Sequence, residues 1–132
     1  MNHRPLARTS DLVLQDSDSD TLIYDLKNNK AACLNETAAI IWKLCDGNRT
    51  VYEISVEAGK LMKSLVNEDF VLLALDQLNN DGLLAEDFEQ NEKFAGLSRR
   101  EIIKEIGIGA MVALPLVSSI VAPDAIAAQS ST

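Results

Sequence analysis

The side chains able to do chemistry are few and poorly placed for it. His3 is the only histidine among the 132 residues, and Cys33 and Cys45 are the only thiols. Neither cysteine has a base nearby in the sequence, no CxxC pair is present, and two thiols with one distant imidazole do not close a metal site. Of the 20 carboxylates, Asp16, Asp18, Asp20, Glu86, Asp87, Glu89 and Glu92 fall in turns and a linker, where a solvated charge costs little. There is no Gly-rich phosphate loop and no carboxylate pair aimed at a pocket. The inventory argues against an enzyme and gives no cofactor, and both thiols read as small packed apolar groups.

The remaining chemistry is that of the main chain. Ala31-Ala32-Cys33-Leu34 is short, free of proline and small in its side chains. As an edge strand it would offer unpaired N–H and C=O groups as a template for another strand. Its neighbours must come from the stretches before it. Asp11–Gln15 and Thr21–Leu26 are rich in β-branched and aromatic residues and bounded by turn residues. Lys27-Asn28-Asn29-Lys30 supplies Asn, which tolerates the left-handed conformation of tight hairpins, so a three-stranded antiparallel sheet is expected. Leu22, Tyr24 and Leu26 share one face by the period of two.

Helices follow. Asn35 suits the N-cap of Glu36–Cys45, in which Ala38, Ile41, Trp42 and Cys45 form one apolar stripe and Gly47 supplies the stop. Thr50 and Glu53 make a capping box for a second helix to about Met62. Asn67 caps a third, Glu68–Asn80, ended by Gly82, with Val71, Leu75 and Leu78 facing the core. Phe70, Ala74 and Gln77 then lie on one flank and Leu73 towards the back, which makes Phe70 and Leu73 an expected exposed apolar patch. Leu83-Leu84-Ala85 is expected to return as an extended segment. The order gives an α+β, winged-helix-like unit over residues 11–86, after a mobile lead-in over 1–10 and before a charged linker over 87–97.

The net charge of −8 opposes nucleic acid, whose phosphates are held by clustered Lys and Arg. The third helix carries Glu68, Asp69 and Asp76 and no basic residue, so a DNA-reading winged helix is disfavoured. No apolar run follows the polar opening residues, and a cytoplasmic protein is expected.

Leu34-Asn35-Glu36-Thr37-Ala38-Ala39, then Trp42, Leu44-Cys45-Asp46-Gly47, Thr50-Val51 and Gly82-Leu83-Leu84 resemble the PqqD family, named for coenzyme pyrroloquinoline quinone synthesis and similar to the recognition elements of peptide-modifying pathways. The resemblance runs from about Asp11 to Ala85. It implies a non-catalytic peptide chaperone that binds the leader of a ribosomally made precursor and delivers it to a modifying enzyme, often a radical SAM protein. It further implies that the peptide adds as a strand to the third strand, beside the third helix; with the helical-wheel reading above, the expected contact residues are Ala31, Ala32, Cys33 and Leu34 with Phe70, Leu73, Ala74 and Gln77. In that setting Asn35, Trp42 and Gly47 read as architecture. The rival from another class is a membrane-associated docking module that binds no leader, and self-association is open to either.

Residues 98–132 stand apart. Ser98-Arg99-Arg100-Glu101-Ile102-Ile103-Lys104 fits a twin-arginine export pattern, followed by an apolar run over Ile106–Ala122 and an A-x-A-like Ala125-Ile126-Ala127. Such signals begin chains, and this one lies at the other end. An apolar helix is expected here, and three roles stay open: a membrane anchor, a helix docked on a partner or another copy, or a peptide substrate fused behind its own recognition domain.

Overall fold

The computed structural model describes residues 4–85, 101 and 113–120. Three N-terminal strands, β1 (Leu12–Ser17), β2 (Asp20–Asp25) and β3 (Lys30–Leu34), precede three helices, α1 (Glu36–Leu44), α2 (Val51–Met62) and α3 (Glu68–Asn80). A last strand, β4 (Val117–Ile120), comes from the tail. The fold is α+β, and the antiparallel sheet has four strands in the order β1-β2-β3-β4 rather than the three expected.

The hairpin turns follow the local chemistry, with Asp18 and Asn29 at φ 51° and 53°. Each helix starts on the side chain foreseen for it. Asn35 Oδ1 accepts from the Ala38 N–H at 2.9 Å, and Asn67 Oδ1 accepts from the Phe70 N–H at 2.9 Å. Thr50 and Glu53 close a reciprocal capping box, Glu53 N–H to Thr50 Oγ1 at 3.2 Å and Thr50 N–H to Glu53 Oε1 at 2.9 Å.

Register decides which side of the sheet is dry. Thr21 and Ile23 pair with Leu34 and Ala32, and all four are buried on the face that meets the helices. Ile23, Leu34, Ile41, Ile54, Leu75 and Leu78 anchor the core there. Leu22, Tyr24 and Leu26 do share a face, and it is the outer one, where Tyr24 and Leu26 are exposed. Trp42 donates its indole N–H to the Leu83 carbonyl at 2.9 Å, which ties α1 to the segment after α3.

The segment before β1 is not a loose lead-in. Pro5 is buried, and residues 5–8 are stitched between two non-local segments. Ala7 N–H reaches the Cys45 carbonyl at 2.8 Å, Arg8 N–H the Leu83 carbonyl at 2.9 Å, and Ala85 N–H returns to the Leu6 carbonyl at 2.7 Å. No local periodicity signals such pairing, because both partner segments lie far along the chain. Arg8 also forks onto Asp25, through Nη1 at 2.8 Å and Nη2 at 2.9 Å. Asp25 accepts in addition from the Lys27 and Asn28 backbone N–H groups and from Asn28 Nδ2, so one carboxylate organises the β2–β3 turn.

The tail departs furthest from expectation. Val117–Ile120 is a strand, so no single helix spans Ile106–Ala122. Pro115 cannot continue a helix, and Val117 and Ile120 favour extended backbone. Among the described residues no helix is long and apolar enough to cross a membrane. The expected linker over 87–97 lies outside the described residues.

Candidate functional site

The free edge expected at β3 is occupied. β4 pairs antiparallel to it, with Leu34 opposite Val117, Cys33 opposite Ser118, Ala32 opposite Ser119 and Ala31 opposite Ile120. The strand lies against α3. Ala31, Ala32 and Leu34 are buried, and Cys33 is half-buried on the outer face opposite Leu22.

Two side-chain amides hold the residues that lead into β4. Asn35 Nδ2 donates to the Leu114 carbonyl at 2.8 Å, and Asn35 Oδ1 accepts from the Leu116 N–H at 3.0 Å. The Asn35 backbone N–H donates to the Leu116 carbonyl at 3.0 Å. From the α3 side, Gln77 Nε2 donates to the Pro115 carbonyl at 2.9 Å, and Gln77 Oε1 accepts from the Val117 N–H at 2.9 Å.

The alternation follows from peptide geometry. In a trans peptide the C=O and the following N–H point opposite ways. With the Leu116 carbonyl turned to Asn35, the Val117 N–H must face α3. With the Pro115 carbonyl turned to Gln77, the Leu116 N–H must face Asn35. The Asn35 amide thus extends the β3 edge by one rung, and Gln77 serves as a short substitute strand on the opposite side. Pro115 sits where the chain has no N–H to give, and its ring is fully buried.

Of the residues singled out on α3, Gln77 touches the bound strand through two hydrogen bonds. Phe70, Leu73 and Ala74 are not an exposed patch: all three are buried in the common core cluster, against which Leu114 and Val117 also pack. The helix turns further inward than the stripe Val71, Leu75 and Leu78 suggested, because it is covered by other helices on one side and by the tail on the other. Asn35 was legible as a cap and not as a contact. Ser, Thr or Asp caps a helix equally well, but only Asn adds an N–H donor beside a strand edge.

The thiols differ in setting. Cys45 is buried, donates to the Ile41 carbonyl at 3.2 Å, and burial pushes its pKa up to about 12. Cys33 carries no partner thiol. Among the described residues no group of His, Cys, Asp and Glu is arranged to hold a metal ion.

The family model of coenzyme PQQ synthesis protein D (PqqD) matches residues 20–59. This stretch of the chain is PqqD-like. It contains β2, β3, Asn35, α1 and most of α2, and so the strand edge with one of its two gripping amides. Gln77 and the β4 segment lie beyond it. No curated protein and no solved structure matches the chain.

Proposed function

We propose that residues 11–86 form a winged-helix-like recognition domain of a non-catalytic adaptor, which binds the leader of a ribosomally made precursor peptide by strand addition and presents it to a modifying enzyme. The observation that carries this role is the pairing of β3 with a strand from outside the N-terminal sheet, gripped by Asn35 and Gln77. An edge that accepts one short extended segment has the main-chain complementarity to accept another. The PqqD match over residues 20–59 supports the same role, since it covers that edge. A radical SAM enzyme as the partner served, and a cytoplasmic site of action, rest on the family resemblance.

The proposed contact set is Ala31–Leu34 with Gln77 and the neighbouring Phe70, Leu73 and Ala74, to which Asn35 is added. Chemical-shift mapping of the isotopically labelled chain with a candidate leader peptide tests it. Shifts should concentrate on residues 31–35 and 68–80. Binding with shifts confined elsewhere overturns the assignment. The docking module that binds no leader has no observation of its own in its favour.

A further inference from the structure

We propose that residues 114–120 are the recognition groove's own ligand, carried in cis, and that the site beside Asn35 and Gln77 selects for proline at position 115 and a β-branched residue at position 117. This rests on the peptide-binding role above and adds to it the identity of the occupant. Three observations converge. The strand that completes the sheet is the tail segment, although residues 35–116, α1, α2 and α3 among them, separate it from β3 in the chain. Its main chain is gripped from both flanks by side-chain amides, in the manner of a bound peptide rather than of one strand among others. And it is thinly held by its side chains: Pro115 is fully buried and Leu114 and Val117 partly, while Leu116, Ser118, Ser119 and Ile120 stay exposed.

Selectivity follows from what each position must supply. Position 115 is fully enclosed, and an N–H there would point to the α3 side, where the Gln77 amide is already engaged by the Pro115 carbonyl and the Val117 N–H. Proline satisfies both constraints, having a compact ring and no donor. Position 117 must keep its N–H for Gln77 and packs a β-branched side chain on the core edge opposite Leu34. The exposed positions tolerate substitution.

A ligand tethered to its site competes at an effective concentration on the order of millimolar. A separate peptide therefore meets a filled groove in the intact chain. The test uses the full chain and a fluorescent synthetic peptide with the sequence of residues 113–120. Val117→Pro in the chain removes the N–H that Gln77 holds and leaves the groove residues untouched. The peptide should bind the Val117→Pro chain at least about tenfold more tightly than the wild-type chain, and the same peptide carrying Pro115→Ala should bind more weakly. The Val117 amide of the wild-type chain should be protected from hydrogen exchange to the same degree at all protein concentrations.

Equal binding to both chains overturns cis occupancy, as does protection that falls on dilution, which would assign the strand to a second copy. If the tail peptide fails to bind the Val117→Pro chain while a precursor leader binds there, cis recognition falls and leader binding stands. If neither binds, both fall.

Discussion

Asn35 performs two tasks that one atom separates, and Asn35→Asp pulls them apart. The Oδ1 atom caps α1 through the Ala38 N–H at 2.9 Å and also accepts from the Leu116 N–H at 3.0 Å. Aspartate keeps both acceptor contacts, and its charge suits the helix N-terminus. What it loses is the Nδ2 donor to the Leu114 carbonyl at 2.8 Å, where a second carboxylate oxygen would face a carbonyl oxygen instead. A lost hydrogen bond costs about 1 kcal/mol, and an acceptor left against an acceptor adds about 1 kcal/mol more. Tail docking should therefore weaken by about 2 kcal/mol, roughly a 30-fold rise in local opening. The assay is amide hydrogen exchange read at Val117, whose N–H is held by Gln77 and not by the mutated residue. Exchange at Val117 should accelerate by about that factor, while the Ala38 amide keeps its cap and the melting temperature falls less than it does in Asn35→Ala. Asn35→Ala, in contrast, also removes the cap, worth about 1 kcal/mol, and should lower the melting temperature by about 4–8 °C more than Asn35→Asp does. Unchanged Val117 exchange in Asn35→Asp, or equal loss of thermal stability in both variants, refutes the two-task account.

Three further outcomes follow from the electrostatics. The Arg8 fork and the Asn28 contacts outweigh burial and hold the Asp25 carboxyl well below the usual carboxylate range. Its contribution is present above the unfolded value near 4 and is lost as pH falls below it, so Asp25→Asn should cost about 2–3 kcal/mol at pH 7 and much less at pH 2. Denaturant melts of both proteins at the two pH values check this; a gap that does not narrow is the contrary result. Asp81 is shifted the other way, upward by burial, with Oδ2 lacking a hydrogen-bond partner at the C-cap of α3. That carboxyl favours the fold below its unfolded value and opposes it as pH rises through the folded one, so Asp81→Asn should stabilise the protein by about 0.5–1 kcal/mol at pH 7 in a urea melt, and not at pH 3. Finally, the Cys45 thiol, pushed up to about 12 by burial, should resist iodoacetamide in the native state and react only on unfolding, as mass spectrometry of the labelled peptides would reveal.

Local chemistry made most of the scaffold readable. The caps Asn35, Thr50 and Asn67, the stop at Gly82 and the alternation of β2 depend on residues within four positions of one another. What escaped depends on partners far along the chain. Pro5–Arg8 shows no period and is fixed by residues 45–47 and 83–85. Phe70 and Leu73 fall off the core stripe of the α3 wheel and are buried all the same, because a helical wheel reports direction and not what lies in that direction. The tail departs from its composition for a related cause. Its apolar run matches a helix or an export segment by composition, while Pro115, the β-branched Val117 and Ile120 and the strand edge they meet make Val117–Ile120 extended.

A main-chain grip bears on what such a strand edge can hold. The grip on residues 114–117 is made to main-chain groups that every sequence possesses, with proline the single exception. Affinity of that kind leaves little trace in the bound segment's composition, which is why the tail looked like other things. The trace sits instead on the edge that holds the segment, as two amides that each combine a donor with an acceptor, one at a helix cap and one on a helix flank. Asn35 and Gln77 can each satisfy a C=O and an N–H of a strand, and Asp or Glu at either position could only accept. An amide at both positions, in register with an exposed strand edge, is therefore the pattern by which a groove of this kind could be sought in other small α+β domains.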